Sequence, residues 1–240
     1  MDEEEFCRGD SSEADDAKIA QQHTTTHRTS HVDYIIHKDT HMRPNYTLYA
    51  VPAGLVHISG AFTDDELVDV ERALNAERWL SSSQAMCFSP LPTWVMRLGQ
   101  KIKSLAIDSH AFAASDTTDD AFNFCQCIVN QYSKVDGLTP HVDLHAFGDV
   151  ICSLSLKSSV MMDFRKTTDA SVPPVRVRLD PGDVLVLSGE ARWTFAHGIA
   201  PGTVDTDFET ADFERGHRIS ITLRTMDRDG YELRVRAPSP

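Results

Sequence analysis

No run in this chain approaches the roughly 20 consecutive apolar residues that a membrane-spanning helix needs, so nothing in it reads as a bilayer span. Basic charge is in deficit. Lys and Arg number 23 against 36 Asp and Glu, for a formal net charge of -13, which disfavours a broad nonspecific grip on nucleic acid. A local basic surface is still open, because Arg215, Arg218, Arg224, Arg228, Arg234 and Arg236 enrich the last part of the chain. Cysteine is scarce and odd in number: Cys7, Cys87, Cys125, Cys127 and Cys152. A chain large enough to fold without staples is expected to keep them reduced. Cys125 and Cys127 have no second Cys pair to complete a tetrahedral zinc set, and they read as buried thiols on a strand. The acidic start MDEEEFCRGD has no apolar stretch behind it and lacks the Arg-rich, acid-poor character of a transit peptide. The expected address is cytoplasm or nucleus. There is no internal repeat of roughly 20 to 50 residues.

What is present is the ordinary balance of a soluble globular protein, 240 residues with 41% hydrophobic and 25% charged. That is enough for one catalytic domain plus tails, taken as a monomer. Residues 1–45 show little hydrophobic periodicity and hold His23, His27, His31, His37 and His41. They are read as a disordered, acidic, His-rich tail, since such a composition buries too little apolar surface to offset ordering entropy. The four-residue histidine spacings would suit zinc only on a helix, and none is expected there. From Gly54 the character changes to a short strand, then a Thr63 cap with Glu66 three residues on, then a helix turning Leu67, Val70 and Leu74 inward. A second helix fits PTWVMRLGQKIKSLAI, with Pro92 at its start. After Phe122 the period switches to strands: FNFCQCIVNQY, VICSLSL, VMMDF, VRVRL, DVLVLSG, RWTFAH and RISITLR. The expected fold is mostly β with flanking helices, around a double-stranded β-helix, or jelly roll, core. Residues 228–240 read as a C-terminal tail.

HVD occurs twice, at His31–Asp33 and at His141–Asp143. Alone, H-x-D carries little weight, since His37 and Asp39 make a third instance. The second HVD has a strand-rich continuation. Residues two apart on a strand share a face, so His141 and Asp143 offer an imidazole and a carboxylate at one point. His197, in TFAHGI, supplies a second imidazole for a 2-His-1-carboxylate facial triad that leaves positions open for oxygen chemistry. Arg218 and Arg224 are an even number apart on one strand, and a buried Arg requires an anion. Asn130 and Tyr132 share a face just upstream, suitable donors to a carboxylate-bearing ligand.

The ordered set Asn130-x-Tyr132, His141-x-Asp143, His197-Gly198-Ile199, Arg218 and Arg224 resembles the AlkB family of iron(II) and 2-oxoglutarate dioxygenases. The likeness runs from about Gly54 to Met226, within a domain taken as residues 46–227. SLSLKSSVMMDFR and VLSGEARWTFAHGI are nearest to the eukaryotic branch that includes the tRNA wobble-uridine hydroxylase. The resemblance implies that His141, Asp143 and His197 bind iron and carry catalysis. It implies that Asn130, Tyr132 and Arg218 hold 2-oxoglutarate, with Arg218 on its distal carboxylate, and that Arg224 lies near the inner carboxylate and the metal. Ser220 departs from the Asn of the bacterial repair enzyme. With O2 as the other cosubstrate, the implied reaction is hydroxylation of a C–H bond, or demethylation where that carbon is an N-methyl.

A nucleic-acid base is the first expected substrate, in RNA, particularly tRNA, ahead of DNA. The same chemistry on a protein or metabolite is the second reading, and a non-catalytic metal-binding jelly-roll module the third. His145 is expected at the pocket rim or in contact with substrate, because a fourth ligand would block a position oxygen requires, and Asp149 in a turn or facing solvent. Phe195 is expected to pack in the barrel and Trp193, on the same strand face, to border substrate. A substrate lid is expected between about Ala85 and Phe122.

Overall fold

The computed structural model describes residues 23–29, 32–38, 44–109, 122–207 and 211–226. Four strands, β1 (His23–Thr29), β2 (Val32–Lys38), β3 (Asn45–Tyr49) and β4 (Leu55–Ser59), precede helix α1 (Asp64–Ala76). Next come β5 (Gln84–Phe88), α2 (Thr93–Asp108), β6 (Gln126–Tyr132), β7 (Leu138–His141), β8 (Phe147–Leu156) and β9 (Val160–Lys166). The chain continues through β10 (Val175–Leu179), β11 (Val184–Leu187), a short helix α3 (Gly189–Trp193) and β12 (Phe195–Ile199). It ends with β13 (Val204–Asp205), β14 (Phe213–Glu214) and β15 (Arg218–Met226).

Two antiparallel sheets face one another. The larger runs β1-β2-β3-β4-β11-β8-β15-β6-β5 and the smaller β10-β9-β12-β7, the mostly-β jelly roll expected. Strand alternation sorts the residues of the larger sheet. Ile219, Ile221 and Leu223 of β15, Cys152 and Leu154 of β8, and Val184 and Val186 of β11 all pack on the helix side. There they meet Leu67 and Leu74 of α1 and Val95, Leu98 and Ile102 of α2. Leu185 and Leu187, one residue out of phase, instead face Phe164, Val177 and Phe195 of the smaller sheet. The helices thus clamp one face of the large sheet and leave the space between the sheets for the site. Helix α1 opens on the expected capping box, Thr63 Oγ1 accepting from Glu66 N–H while Glu66 Oε2 accepts from Thr63 N–H.

Three expectations change. Two strands lie within residues 1–45, where a disordered tail was expected: β1 pairs with β2 and β2 with β3, both antiparallel. Composition concealed this because ladder hydrogen bonds need no buried side chain, and Thr24, Thr25, Thr26, Val32, Ile35 and Ile36 are β-branched. Second, RWTFAH is not one strand; its first part closes α3 and only Phe195 onward pairs. Third, the segment expected as a lid contains edge strand β5 and the core helix α2. Residues 110–121, His31, and the tail 228–240 lie outside the described residues. Among the described residues, no helix is long and apolar enough to cross a membrane, and Cys87, Cys125, Cys127 and Cys152 are free thiols.

Candidate functional site

His141 closes β7, and His197 lies directly opposite it on β12 as its cross-strand partner. Their rings stand 4.6 Å apart, centroid to centroid. Asp143 lies just past the end of β7, in irregular backbone rather than on the expected strand. It still turns its carboxylate inward, with Oδ2 3.6 Å from His197 Nε2. One donor atom from each of the three lies within 4.8 Å of the others, a spacing that small side-chain rotations could close on one ion. His141 Nδ1 lies 2.9 Å from Thr139 O. That carbonyl accepts only from an Nδ1–H tautomer, which leaves Nε2 with a bare lone pair, the form that ligates metal.

Gly198 explains how the strands come so close. A Cβ there would sit 2.8 Å from Leu138 O and 2.8 Å from Pro140 Cα, closer than any side chain permits. The β7–β12 register shifts just at this point, between His197 and Ile199.

Asp143 is 6% exposed, and burial alone would raise its carboxyl pKa. Arg224, His197 and His141 outweigh burial and hold it below the ordinary carboxylate value. Arg224 Nη2 donates to Asp143 Oδ1 at 2.6 Å and its Nη1 to Gln126 Oε1 at 3.1 Å. Burial pushes the His197 imidazole down to about 4, against the pull of Asp143. The set is therefore two imidazoles and one carboxylate, a donor set suited to a divalent transition metal with positions left open.

Beside it lies a small open cleft of about 70 Å³. Its floor is the inner face of the large sheet. Arg218, Ser220, Thr222 and Arg224 alternate along β15, with Asn130 and Tyr132 beside them on β6. Register aligns them in pairs: Arg218 opposite Tyr132, Ser220 opposite Asn130 and Arg224 opposite Gln126. Gln84 Nε2 donates to Asn130 Oδ1 at 2.6 Å, which fixes the orientation of that amide. Arg218 is 4% exposed, donates from Nη2 to Ser155 Oγ at 3.0 Å, and lies 5.4 Å from the Tyr132 ring centroid. Burial lowers its guanidinium to about 10. Among the described residues no carboxylate pairs with it, and its Nε, like that of Arg224, is buried with no partner among them. A buried cation with an orphan donor is costly unless an anion completes it. A small dicarboxylate would supply one, so the residues present fit both an iron(II) ion and 2-oxoglutarate.

The structure thus gathers all seven residues singled out from sequence around one cleft. His145 stays outside the cluster, exposed, its ring stacked 5.2 Å from that of Trp193. Trp193, expected on the strand face beside substrate, ends α3 and donates from Nε1 to Asp149 Oδ1 at 3.2 Å. Phe195 is fully buried, as expected. Sequence reasoning passed over Gln126, Ser155 and Arg192. For Arg192 the signal was the turn-forming Ser188-Gly189 just ahead, which marks a break before the strand.

Residues 23–224 match the 2OG-Fe(II) oxygenase superfamily. The tRNA (carboxymethyluridine(34)-5-O)-methyltransferase alkbh8 of Xenopus tropicalis is 43% identical over 121 residues, 48% of this chain and 19% of the frog protein. The "Alkylated DNA repair protein ALKBH8 homolog" of Arabidopsis thaliana is 33% identical over 152 residues, 57% of this chain and 42% of that one. The chain therefore spans less than half the length of these relatives. Among solved structures, that of OsALKBH1 covers 78% of this chain and all of its own at TM-score 0.52 and 18% identity. A Pseudomonas putida prolyl-4-hydroxylase covers 74% of this chain at TM-score 0.50 and 14% identity; at such identities both speak to the fold alone. With the family match spanning most of the chain, this chain belongs to the 2OG-Fe(II) oxygenase superfamily.

Proposed function

We propose that this chain is an iron(II)- and 2-oxoglutarate-dependent dioxygenase that oxidises a nucleic-acid base, with a tRNA base as substrate. The observation that carries the reading is the pairing of two features in one cleft. The His141, Asp143 and His197 cluster stands beside the buried Arg218, whose Nε lacks a partner. A structural metal site needs no anion clamp, which sets aside the non-catalytic module.

When bound, iron and 2-oxoglutarate supply oxygen activation coupled to decarboxylation of 2-oxoglutarate to succinate and carbon dioxide, with one oxygen atom delivered to a substrate C–H. His141, Asp143 and His197 would hold the metal from one side. Arg218 would pair with the distal carboxylate of the cosubstrate, Tyr132 and Asn130 would donate to it, and Arg224 would keep Asp143 ionised and oriented. Leu185, Leu187 and Met162 wall the cleft and keep water from its inner end. A target base would have to be flipped or offered from a loop to reach the ligands.

The frog relative is named a tRNA (carboxymethyluridine(34)-5-O)-methyltransferase, as is a similar protein of Mus musculus, which favours tRNA. A protein or metabolite substrate is the second reading, favoured by the net charge of -13. Purified protein loaded with iron is expected to convert 2-oxoglutarate to succinate, and Asp143→Ala to abolish it; no turnover with any candidate substrate would sink the enzyme reading. Mass spectrometry of tRNA nucleosides from cells with and without the protein decides the substrate. An unchanged profile moves the assignment to the second reading.

A further inference from the structure

Arg192 is 2% exposed and, among the ion pairs of the described residues, has no carboxylate partner. Its guanidinium is spent instead on the main chain of one short stretch. Nε donates to Gly148 O at 3.1 Å and Nη1 to Asp143 O at 3.1 Å. Nη2 donates to Leu144 O at 2.8 Å and to Phe147 O at 3.0 Å. Residues 142–146 have left the β7 ladder and β8 starts at Phe147, so Asp143 O and Leu144 O lie between the strands while Phe147 O and Gly148 O belong to the first residues of β8. The planar fork ties the connection that carries the metal carboxylate to the first residues of β8.

A second set of contacts runs from the same short helix. Trp193 donates to Asp149 near the start of β8 and stacks on His145 in the connection before it, and the Arg192 guanidinium lies 3.9 Å from the Trp193 ring centroid. Helix α3 is itself tied down, Ala191 N–H donating to Ala53 O at 3.0 Å and Thr194 N–H to Glu190 O at 2.9 Å. It leads directly into β12, which carries His197. One rigid unit therefore carries one metal ligand and grips the main chain of another.

We propose that Arg192 is a positioning residue for the metal centre: from α3 it holds the Asp143–Gly148 stretch and so sets where Asp143 stands relative to His197. Arg224 fixes the Asp143 carboxylate and Arg192 its backbone. The inference rests on the metal-centre reading above. A Lys at this position offers a compact ammonium in place of the planar fork and cannot span four carbonyls.

The test is cobalt(II) titration of the metal-free full chain, read by visible d–d absorption, beside a thermal melt of each metal-free variant. Arg192→Lys is expected to fold, to bind cobalt about 10- to 100-fold more weakly, and to show a shifted d–d spectrum. A folded Arg192→Lys with the parent affinity and spectrum overturns the proposal. If Arg192→Lys does not fold, Trp193→Leu is read instead. It removes the stack on His145 and the bond to Asp149 but keeps the guanidinium; weakening of about tenfold supports the brace, and unchanged binding overturns it. Asp143→Ala separates the two readings. If the parent binds cobalt and Asp143→Ala does not, the metal centre stands whatever Arg192 does; if the parent binds none, both fall.

Discussion

Arg224 Nη2 donates to Asp143 Oδ1 at 2.6 Å, and both side chains are buried between the sheets. The same guanidinium lies 4.7 Å from the Phe147 ring centroid, so one arginine neutralises the carboxylate and packs against the start of β8. Arg224→Met keeps the packing and strands the charge. It is expected to cost about 3 kcal/mol in the metal-free protein, the scale for removing one partner of a buried pair. Urea denaturation of metal-free protein measures it, and an unmoved midpoint would show that His141 and His197 alone stabilise the carboxylate.

Arg218 is assigned to the cosubstrate and not to the metal, and the two roles come apart experimentally. Arg218→Met is expected to raise the KM for 2-oxoglutarate roughly 10- to 100-fold, the worth of a charged hydrogen-bond pair. Manganese or cobalt affinity should stay within about twofold, because Arg218 makes no contact with the triad. Equal losses in both would place Arg218 in the metal centre instead.

The two identical HVD tripeptides make a sharp internal control. His141→Ala is expected to abolish succinate formation, and His31→Ala to leave it at the parent level. Side-by-side assays of the two purified variants give the answer, and a loss in His31→Ala contradicts the assignment.

Gly198→Ala tests the close approach of β7 and β12. The added methyl meets the main chain at Leu138 and Pro140, which cannot yield as a side-chain end can. Parting the strands separates His141 from His197, so metal affinity should fall by about tenfold or more while α1 and α2, on the far side of the large sheet, stay folded. Isothermal titration with cobalt and far-ultraviolet circular dichroism read the two effects independently.

Much of the site was legible because strand periodicity is simple. Arg218 with Arg224, and Asn130 with Tyr132, have even spacings, and even spacing places side chains on one face of a sheet whatever the sheet packs against. The Thr63 and Glu66 capping box was legible for the same kind of reason: both partners lie within one helical turn. Trp193 was misread because alternation was carried back from His197 across Thr194, past the point where α3 ends and β12 begins. Strands β1 and β2 were missed because their stabilising bonds belong to the backbone, which composition does not weigh.

By itself the sequence determined the local periods, the caps and the set of chemical groups, since each depends on neighbours a few residues apart. Only the tertiary structure decided that His141 and His197 stand opposite one another, that Arg218 is buried without a carboxylate among the described residues, and that Arg192 grips the main chain behind Asp143. These rest on strand register and on α3 docking against a distant loop. Such placements are set by packing the two sheets together, and no short stretch of chain encodes them.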